Sequence, residues 1–200
     1  MEFTPLQTER LTLRLHARSD IPALMPLIGA REVAATTLRI PHPYTEADAQ
    51  NFIAGTQEEL SSGSGLRLGI VLRESDTLCG GVGLRIEPDH RRAELGYWIG
   101  VPHWGRGYAT EAARAMVQYG VETLQLHRIF ASHFVDNLAS ARVLMKIGMR
   151  HEGRQRGHIL KWGEFLDIEM YGMVASDVGP AYGLDRTRNL WTPCKPSCCT

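Results

Sequence analysis

The sequence lacks an excess of either charge. Its 200 residues carry 22 Lys plus Arg against 22 Asp plus Glu, a formal net charge of zero. That balance excludes a nucleic-acid binder that works by bulk phosphate neutralisation, and no direct nucleic-acid role is expected. Long apolar runs are also missing. None approaches the roughly 18 residues that a membrane helix needs, so no membrane partner is expected. Residues 1–20 hold Arg10, Arg14 and Arg18 and no apolar core, so no secretory signal is read. Cysteine is scarce. Cys79 stands alone in a strand-like segment and reads as a small buried hydrophobe, while Cys194, Cys198 and Cys199 crowd the end. The eight histidines show no His-x-x-x-His or His/Cys spacing, so no metal is expected. Reduced thiols and a cytoplasmic location are the default.

What is present is ordinary globular material, 44% hydrophobic and 22% charged. The length suits one domain with a sizeable core. Periodicity runs to about residue 175 and is absent over 176–200, which predicts a domain over 1–175 and a disordered tail. Leu11, Leu13 and Leu15 alternate with polar residues, the period of a half-buried strand. Ser19 can cap a helix over 20–30 that Pro26 limits or kinks. Thr45 caps a second helix to about Leu60, after a Pro41–Tyr44 loop. Strand pairs are predicted over 67–73 with 78–87, and over 150–156 with 164–174. Further strands are expected over 94–100 and 127–135, and further helices over 109–124 and from Asn137. Alternating strands, hairpins and helices make an α+β domain.

The most informative stretch is Val101-Pro-His-Trp-Gly-Arg-Gly-Tyr-Ala-Thr-Glu111, a glycine-bearing turn between a strand and a helix. The first N–H groups of a helix have no internal partner, and its dipole makes that end positive. Such a turn can cradle a phosphate, and Gly105 and Gly107 leave it uncovered. The spacing is not that of a nucleotide-triphosphate loop, because Tyr108, Ala109 and Thr110 follow Gly107 where Lys-Ser/Thr would be needed. Nor is it a dinucleotide fingerprint, since position 110 is Thr rather than Gly. A second cluster, Gly80-Gly81-Val82-Gly83, lies within a strand rather than ahead of a helix.

The flanks are more specific. Thr8-Glu-Arg-Leu-Thr-Leu-Arg14, Ala93-Glu-Leu-Gly-Tyr-Trp-Ile99, Trp104-Gly-Arg-Gly-Tyr-Ala-Thr-Glu-Ala112 and Asn137-Leu-Ala-Ser-Ala-Arg-Val-Leu-Met-Lys-Ile-Gly-Met149 occur in order. Together they resemble the GNAT superfamily of N-acetyltransferases, in the branch that acetylates ribosomal-protein N-termini. The resemblance covers about residues 6–174. It implies a twisted, mostly antiparallel mixed sheet flanked by helices, with two central parallel strands splayed apart. It also implies acetyl-CoA as co-substrate. The pyrophosphate would lie on the turn formed by Trp104, Gly105, Arg106, Gly107, Tyr108, Ala109 and Thr110. The pantetheine arm would pair with backbone at Ile99, Gly100 and Val101, and an N–H at that strand end would face the thioester carbonyl. Pro102 stands where the family often has Gln or Arg. Asn137 would hydrogen-bond pantetheine or cap its helix, roles that are compatible. Ser140 would donate to the departing sulfur, its alternative being an ordinary first-turn helix serine. Leu144 occupies the place of the tyrosine that many members use for that purpose.

Glu94 is the candidate base, acting directly or through water, with Gly96 and Trp98 on its strand face. The alternative is an ion pair with Arg91, Arg92 or another strand's arginine. His133 either lines the acceptor pocket or is a satisfied core residue. The basic hairpin of Arg150, His151, Arg154, Arg156, His158 and Lys161 either meets a phosphate or RNA, or is a solvated, charge-guarded edge. The acceptor is expected to be a primary amine, with the loops around 31–44 and 154–163 shaping its pocket. An α-amine, pKa near 8, costs about 3.3 kcal/mol less to neutralise than a lysine near 10.4. That fits a protein N-terminus. Small amines such as a polyamine, an aminoglycoside or a toxin remain open, as do a non-catalytic acyl-CoA-binding module and either a monomer or a homodimer.

Overall fold

The computed structural model describes residues 3–179. Most of the expected tail, with Cys194, Cys198 and Cys199, lies outside the described residues. Its first residues continue the domain: Ala175–Asp177 forms a 3-10 turn and Val178 packs on the core.

Strand alternation builds one sheet of eight strands. A two-residue β1 (Leu6–Gln7) pairs with β2 (Leu11–Leu15), whose Leu11 and Leu13 are fully buried. Next come β3 (Gly65–Leu72), β4 (Thr77–Glu87), β5 (Arg92–Ile99), β6 (Arg128–Phe134), β7 (Arg150–Lys161) and β8 (Glu164–Val174). The spatial order is β1-β2-β3-β4-β5-β6-β8-β7. Every neighbouring pair is antiparallel except β5 and β6. That parallel pair is short, joining Arg92–Glu94 to Arg128–Phe130. Beyond Glu94 the two strands are no longer paired, which is the expected splay.

Helices cover the sheet. α1 (Ile21–Ile28) is short and contains Pro26. Ser19 does not cap it: a 3-10 turn, Arg18–Asp20, leads in, and the Asp20 carboxylate instead accepts from Arg14 and from the Ala17 N–H. α2 (Arg31–Thr36) lies where a loop was expected, a six-residue helix too brief to show periodicity. α3 (Glu46–Ser62) begins as predicted at Thr45, whose hydroxyl accepts from the Asp48 N–H at 3.2 Å. α4 (Tyr108–Glu122) and α5 (Leu138–Lys146) follow.

The main core lies between the sheet and the pair α4 and α5. Leu84, Met116, Ile129, Leu144 and Ile147 are fully buried in it. Cys79 joins this core, and burial pushes its thiol up to about 11. β7 runs past residue 156, where it was expected to end. Gly153 and Gly157 adopt positive φ there, and the register with β8 shifts at both places. The hairpin therefore bends and carries its tip back to α2. Lys161 Nζ donates to the Thr37 carbonyl, and the Trp162 ring meets Arg31. The two segments expected to shape the acceptor pocket thus touch each other.

Leu144→Ala should cost about 3 kcal/mol of unfolding free energy, measured by denaturant titration, because it empties a fully enclosed position.

Candidate active site

The glycine turn leads into α4 without a side-chain cap. Gly105 and Gly107 have φ of +75° and +82°, values that an L side chain adopts at a cost. A Cβ at Gly105 would meet nothing within 4 Å, so the turn is open on that side. Among the described residues no protein acceptor meets the N–H groups of Gly107, Tyr108, Ala109 and Thr110. Unpaired donors at a positive helix end fit a pyrophosphate.

The turn is held from behind by the chain's first strands. Thr8 Oγ1 donates to Glu111 at 2.6 Å, and the Arg10 N–H and Nε reach the same carboxylate at 2.8 and 2.7 Å. Arg10 also donates to the Arg106 carbonyl and lies over the Tyr108 ring. Burial raises the Glu111 carboxyl, but Thr8 and Arg10 outweigh it and hold it below the usual range. This buckle escaped the sequence reading. Its signal was present, since Thr8, Arg10 and Glu111 all lie in the family-like blocks.

The end of β5 is partly committed. The Gly100 N–H donates to the Cys79 carbonyl, and the Gly100 carbonyl accepts from His103. The Gly100 N–H is thereby taken, so a pantetheine arm would meet Gly100 only through the second lone pair of its carbonyl. Because Gly100 faces β4, antiparallel alternation turns the Ile99 N–H and C=O toward β6, into the splay. Trp104 Nε1 takes the Ile99 carbonyl at 2.6 Å. Trp104 thus acts as a brace for the strand end. The Val101 N–H has no acceptor among the described residues.

α5 faces this opening. Asn137 caps it, its Oδ1 accepting from the Ser140 N–H at 3.0 Å, and its Nδ2 reaches the Thr36 carbonyl. Asn137 thus takes the capping role, and its amide keeps a second Nδ2–H for a ligand. Ser140 Oγ shares a 2.7 Å hydrogen bond with the Tyr97 hydroxyl. Tyr97 was not singled out from the sequence. Burial pushes its phenol up to about 12, so it stays protonated at neutral pH. Leu144 is enclosed in the core, so the usual tyrosine position does not reach the opening.

On the other sheet face lies Glu94, its side chain 11% exposed. Arg91 and Arg92 are not its partners: Arg91 donates to the Gln125 carbonyl and Arg92 to Glu87. Arg85 of β4 and Arg39, beyond α2, both bind Oε2, each at 2.7 Å. Oε1 has no hydrogen-bond partner among the described residues. Burial alone would raise the carboxyl; the two guanidiniums outweigh that and leave it lowered. The strand glycines make the floor beside it. A Cβ at Gly81 would come within 2.6 Å of the Trp98 indole, so glycine lets that ring lie against the sheet.

His133 lines the opening, buried against Tyr171, with Nδ1 at 2.8 Å from the Phe134 carbonyl and Nε2 unpartnered. The basic hairpin is largely spoken for. Arg150 pairs with Asp177, His151 and Arg154 with Glu169, and Lys161 with Thr37. No cluster of metal-ligating side chains occurs among the described residues, and no helix there is long and apolar enough to cross a membrane.

One cavity of about 830 Å³ joins these parts. It runs from the glycine turn past Ser140 and Tyr97 to Glu94 and Arg39. Gly105→Asp should weaken acetyl-CoA binding on the order of a hundredfold in a calorimetric titration, by combining a strained φ with a like charge. Glu111→Gln, which loosens the buckle, should weaken it about tenfold. Unchanged affinity in both variants would remove the turn from the site.

A family profile described as an acetyltransferase (GNAT) domain matches residues 10–150. The uncharacterised N-acetyltransferase YoaA of Bacillus subtilis is 36% identical over 176 residues, covering 86% of this chain and 97% of that one. A ribosomal-protein-serine acetyltransferase of Escherichia coli is 33% identical over 95 residues, 45% of this chain and 50% of its own. Among solved structures, a GNAT-family acetyltransferase from Bacillus anthracis has a TM-score of 0.77 at 26% identity, covering 86% of this chain and 99% of that one. A spermidine N-acetyltransferase from Vibrio cholerae, in complex with CoA and spermine, has the same fold, with a TM-score of 0.74 at 22% identity over 85% of this chain and 98% of its own. The open turn, the splayed strands and these matches agree: the chain belongs to the GNAT family, as an acetyl-CoA-dependent N-acetyltransferase.

Proposed function

We propose that the chain transfers acetyl directly to a protein N-terminal α-amine in a ternary complex. The observation that carries this reading is the single cavity linking the open N–H groups of the turn to the free oxygen of Glu94. The relative that acts on ribosomal-protein serine supports an N-terminal acceptor. A small amine is the second reading. It is favoured by the Lys161 contact with Thr37, which ties together the two segments beside the acceptor side and restricts access.

Bound acetyl-CoA supplies an acetyl group already activated as a thioester. Tyr108, Ala109 and Thr110, with Gly105 to Gly107, would hold its pyrophosphate through main chain. The Val101 N–H, free at the end of β5, is the candidate donor to the carbonyl oxygen. Ile99 offers the edge of β5 to the pantetheine arm through its remaining N–H.

Glu94 has a different part from a strong base. With two guanidiniums on Oε2 it stays ionised and binds protons weakly. Its Oε1 can hold the incoming ammonium and pass the proton to water. An α-amine with pKa near 8 is already about one-tenth neutral at pH 7, so little basicity is required. As nitrogen bonds to the acetyl carbon, the carbon–sulfur bond breaks and the sulfur needs a proton. The nitrogen's surplus proton leaves through the water at Glu94. The thiolate departs with a hydrogen bond from Ser140 Oγ, to which the Tyr97 hydroxyl donates in turn, and it then takes its proton from solvent. The tyrosine missing at Leu144 is thereby replaced from β5.

Glu94→Gln should lower kcat/KM for the acceptor about a hundredfold while leaving the calorimetric affinity for acetyl-CoA unchanged. In the wild type kcat/KM should rise with pH through the acceptor's own pKa, near 8. Glu94 should add no step between about pH 5 and 7, because its carboxyl is depressed and ionised across that range. A step there that vanishes in Glu94→Gln would restore Glu94 as an ordinary base.

Tyr97→Phe and Ser140→Ala should each reduce kcat about tenfold with little change in KM for acetyl-CoA, and the double variant should be no worse than Ser140→Ala alone. Additive losses would show that the two hydroxyls do not act as one unit.

A further inference from the structure

The charges on the acceptor side do not balance around Glu94. Nearby on the same wall, Arg67 is matched by one carboxylate, Glu59, in a two-pronged contact. Glu94 faces two guanidiniums instead. Arg39 donates to Oε2 through Nη2, and Arg85 donates to the same oxygen through Nε and Nη2. Neither arginine makes another hydrogen bond among the described residues. Each therefore keeps N–H donors in hand.

Exposure sharpens the imbalance. The shared carboxylate is 11% exposed, whereas the Arg39 and Arg85 side chains are 64% and 57% exposed. The negative charge is withdrawn into the wall and the two positive charges stand at the mouth. The unpartnered Oε1 remains a seat for one ammonium. An ammonium seat with a surplus guanidinium beside it is a receptor for an amine that carries its own anion. A polycation would meet a single free carboxylate oxygen and two like charges.

We infer that Arg39 and Arg85 form an anion subsite, and that the preferred acceptor is an amine with a carboxylate or phosphate close to it. This rests on the proposal that Glu94 holds the acceptor amine. Two sources share that chemistry: a free amino acid, whose carboxylate adjoins its amine, and a peptide with an acidic residue next to its N-terminus. Arg39 is the more telling residue, because it arrives from the segment after α2 rather than from the sheet. It joins that segment to the acceptor wall across 55 positions of chain. Anion binding would draw on N–H donors that are now open to solvent, with no buried charge to be uncovered.

The test is acetyl transfer from acetyl-CoA by the 200-residue chain to matched acceptors. Serine is compared with serinamide, and the peptide Ser-Glu-Asp-Ala-amide with Ser-Gln-Asn-Ala-amide. The readout is the ratio of kcat/KM for the anionic member to that for the neutral member, in the wild type and in Arg39→Gln and Arg85→Gln. Both substitutions lie on exposed side chains, so folding is checked by melting temperature and should be retained. The expected wild-type ratio is about tenfold in at least one pair, shrinking with added salt and falling toward one in each variant. A preference in the serine pair alone identifies the amino-acid source, and one in the peptide pair alone the peptide source. Ratios near one in both pairs, or a preference that survives both substitutions, would overturn the subsite while leaving acetyl transfer standing. If none of the four amines is acetylated, spermidine and a lysine-rich peptide are tried next. Turnover of those polycations would also overturn the subsite. Turnover of none would sink the acceptor reading of Glu94 along with it.

Discussion

The early parting of β5 and β6 is the constraint on which the remaining structure depends. Pairing ends after Glu94 and Phe130, yet both strands continue, so two backbone edges face each other without a partner. Unpaired main-chain groups inside a fold are costly unless something meets them. Each flank of the opening is braced so that it does not close. Trp104 pins the Ile99 carbonyl, Cys79 holds Gly100, and β8 continues along β6 to Phe134. An extended thioester arm is the kind of strand-like ligand that such an opening accepts.

Charge is distributed along the same axis. At one end the positive end of α4 is left without a side-chain cap, and the first-turn carboxylate, Glu111, is tied by Thr8 and Arg10. Had Glu111 been loose, it would have competed for the N–H groups of its own helix end. At the other end Glu94 is drawn into the wall by two arginines and keeps one oxygen free. Between them Ser140 and Tyr97 supply neutral hydroxyls where a thiolate would leave. Anion site, hydrogen-bond donor and ammonium seat follow one another along a single cavity.

Local features of this arrangement were legible in the sequence. The strand, glycine turn and helix start around Gly105 and Gly107 are set by neighbours in the chain, as are the caps at Thr45 and Asn137. The order of the longer α and β elements, and through the family-like blocks the splay, could be read as well. Contacts between distant segments could not. Arg39 and Glu94 are 55 positions apart, Tyr97 and Ser140 are 43 apart, and Thr8 and Glu111 are 103 apart. Tyr97 in particular looks like a packing residue, because only its neighbour across the opening reveals its hydroxyl. The Gly100 N–H illustrates the same limit. Its position at the strand end suggested a free backbone, and its commitment to Cys79 depends on the register with β4. α2 and the extra length of β7 were missed because six residues carry no period and positive-φ glycines interrupt the alternation.

The most direct measurement is amide hydrogen exchange, read by mass spectrometry, with and without acetyl-CoA. Acetyl-CoA should slow exchange at Ile99 and Val101 and across Gly105–Thr110, where donors stand open, and leave α3 unchanged. Binding without protection at those amides, or with protection confined to other elements, would contradict the placement of the co-substrate in the opening between β5 and β6.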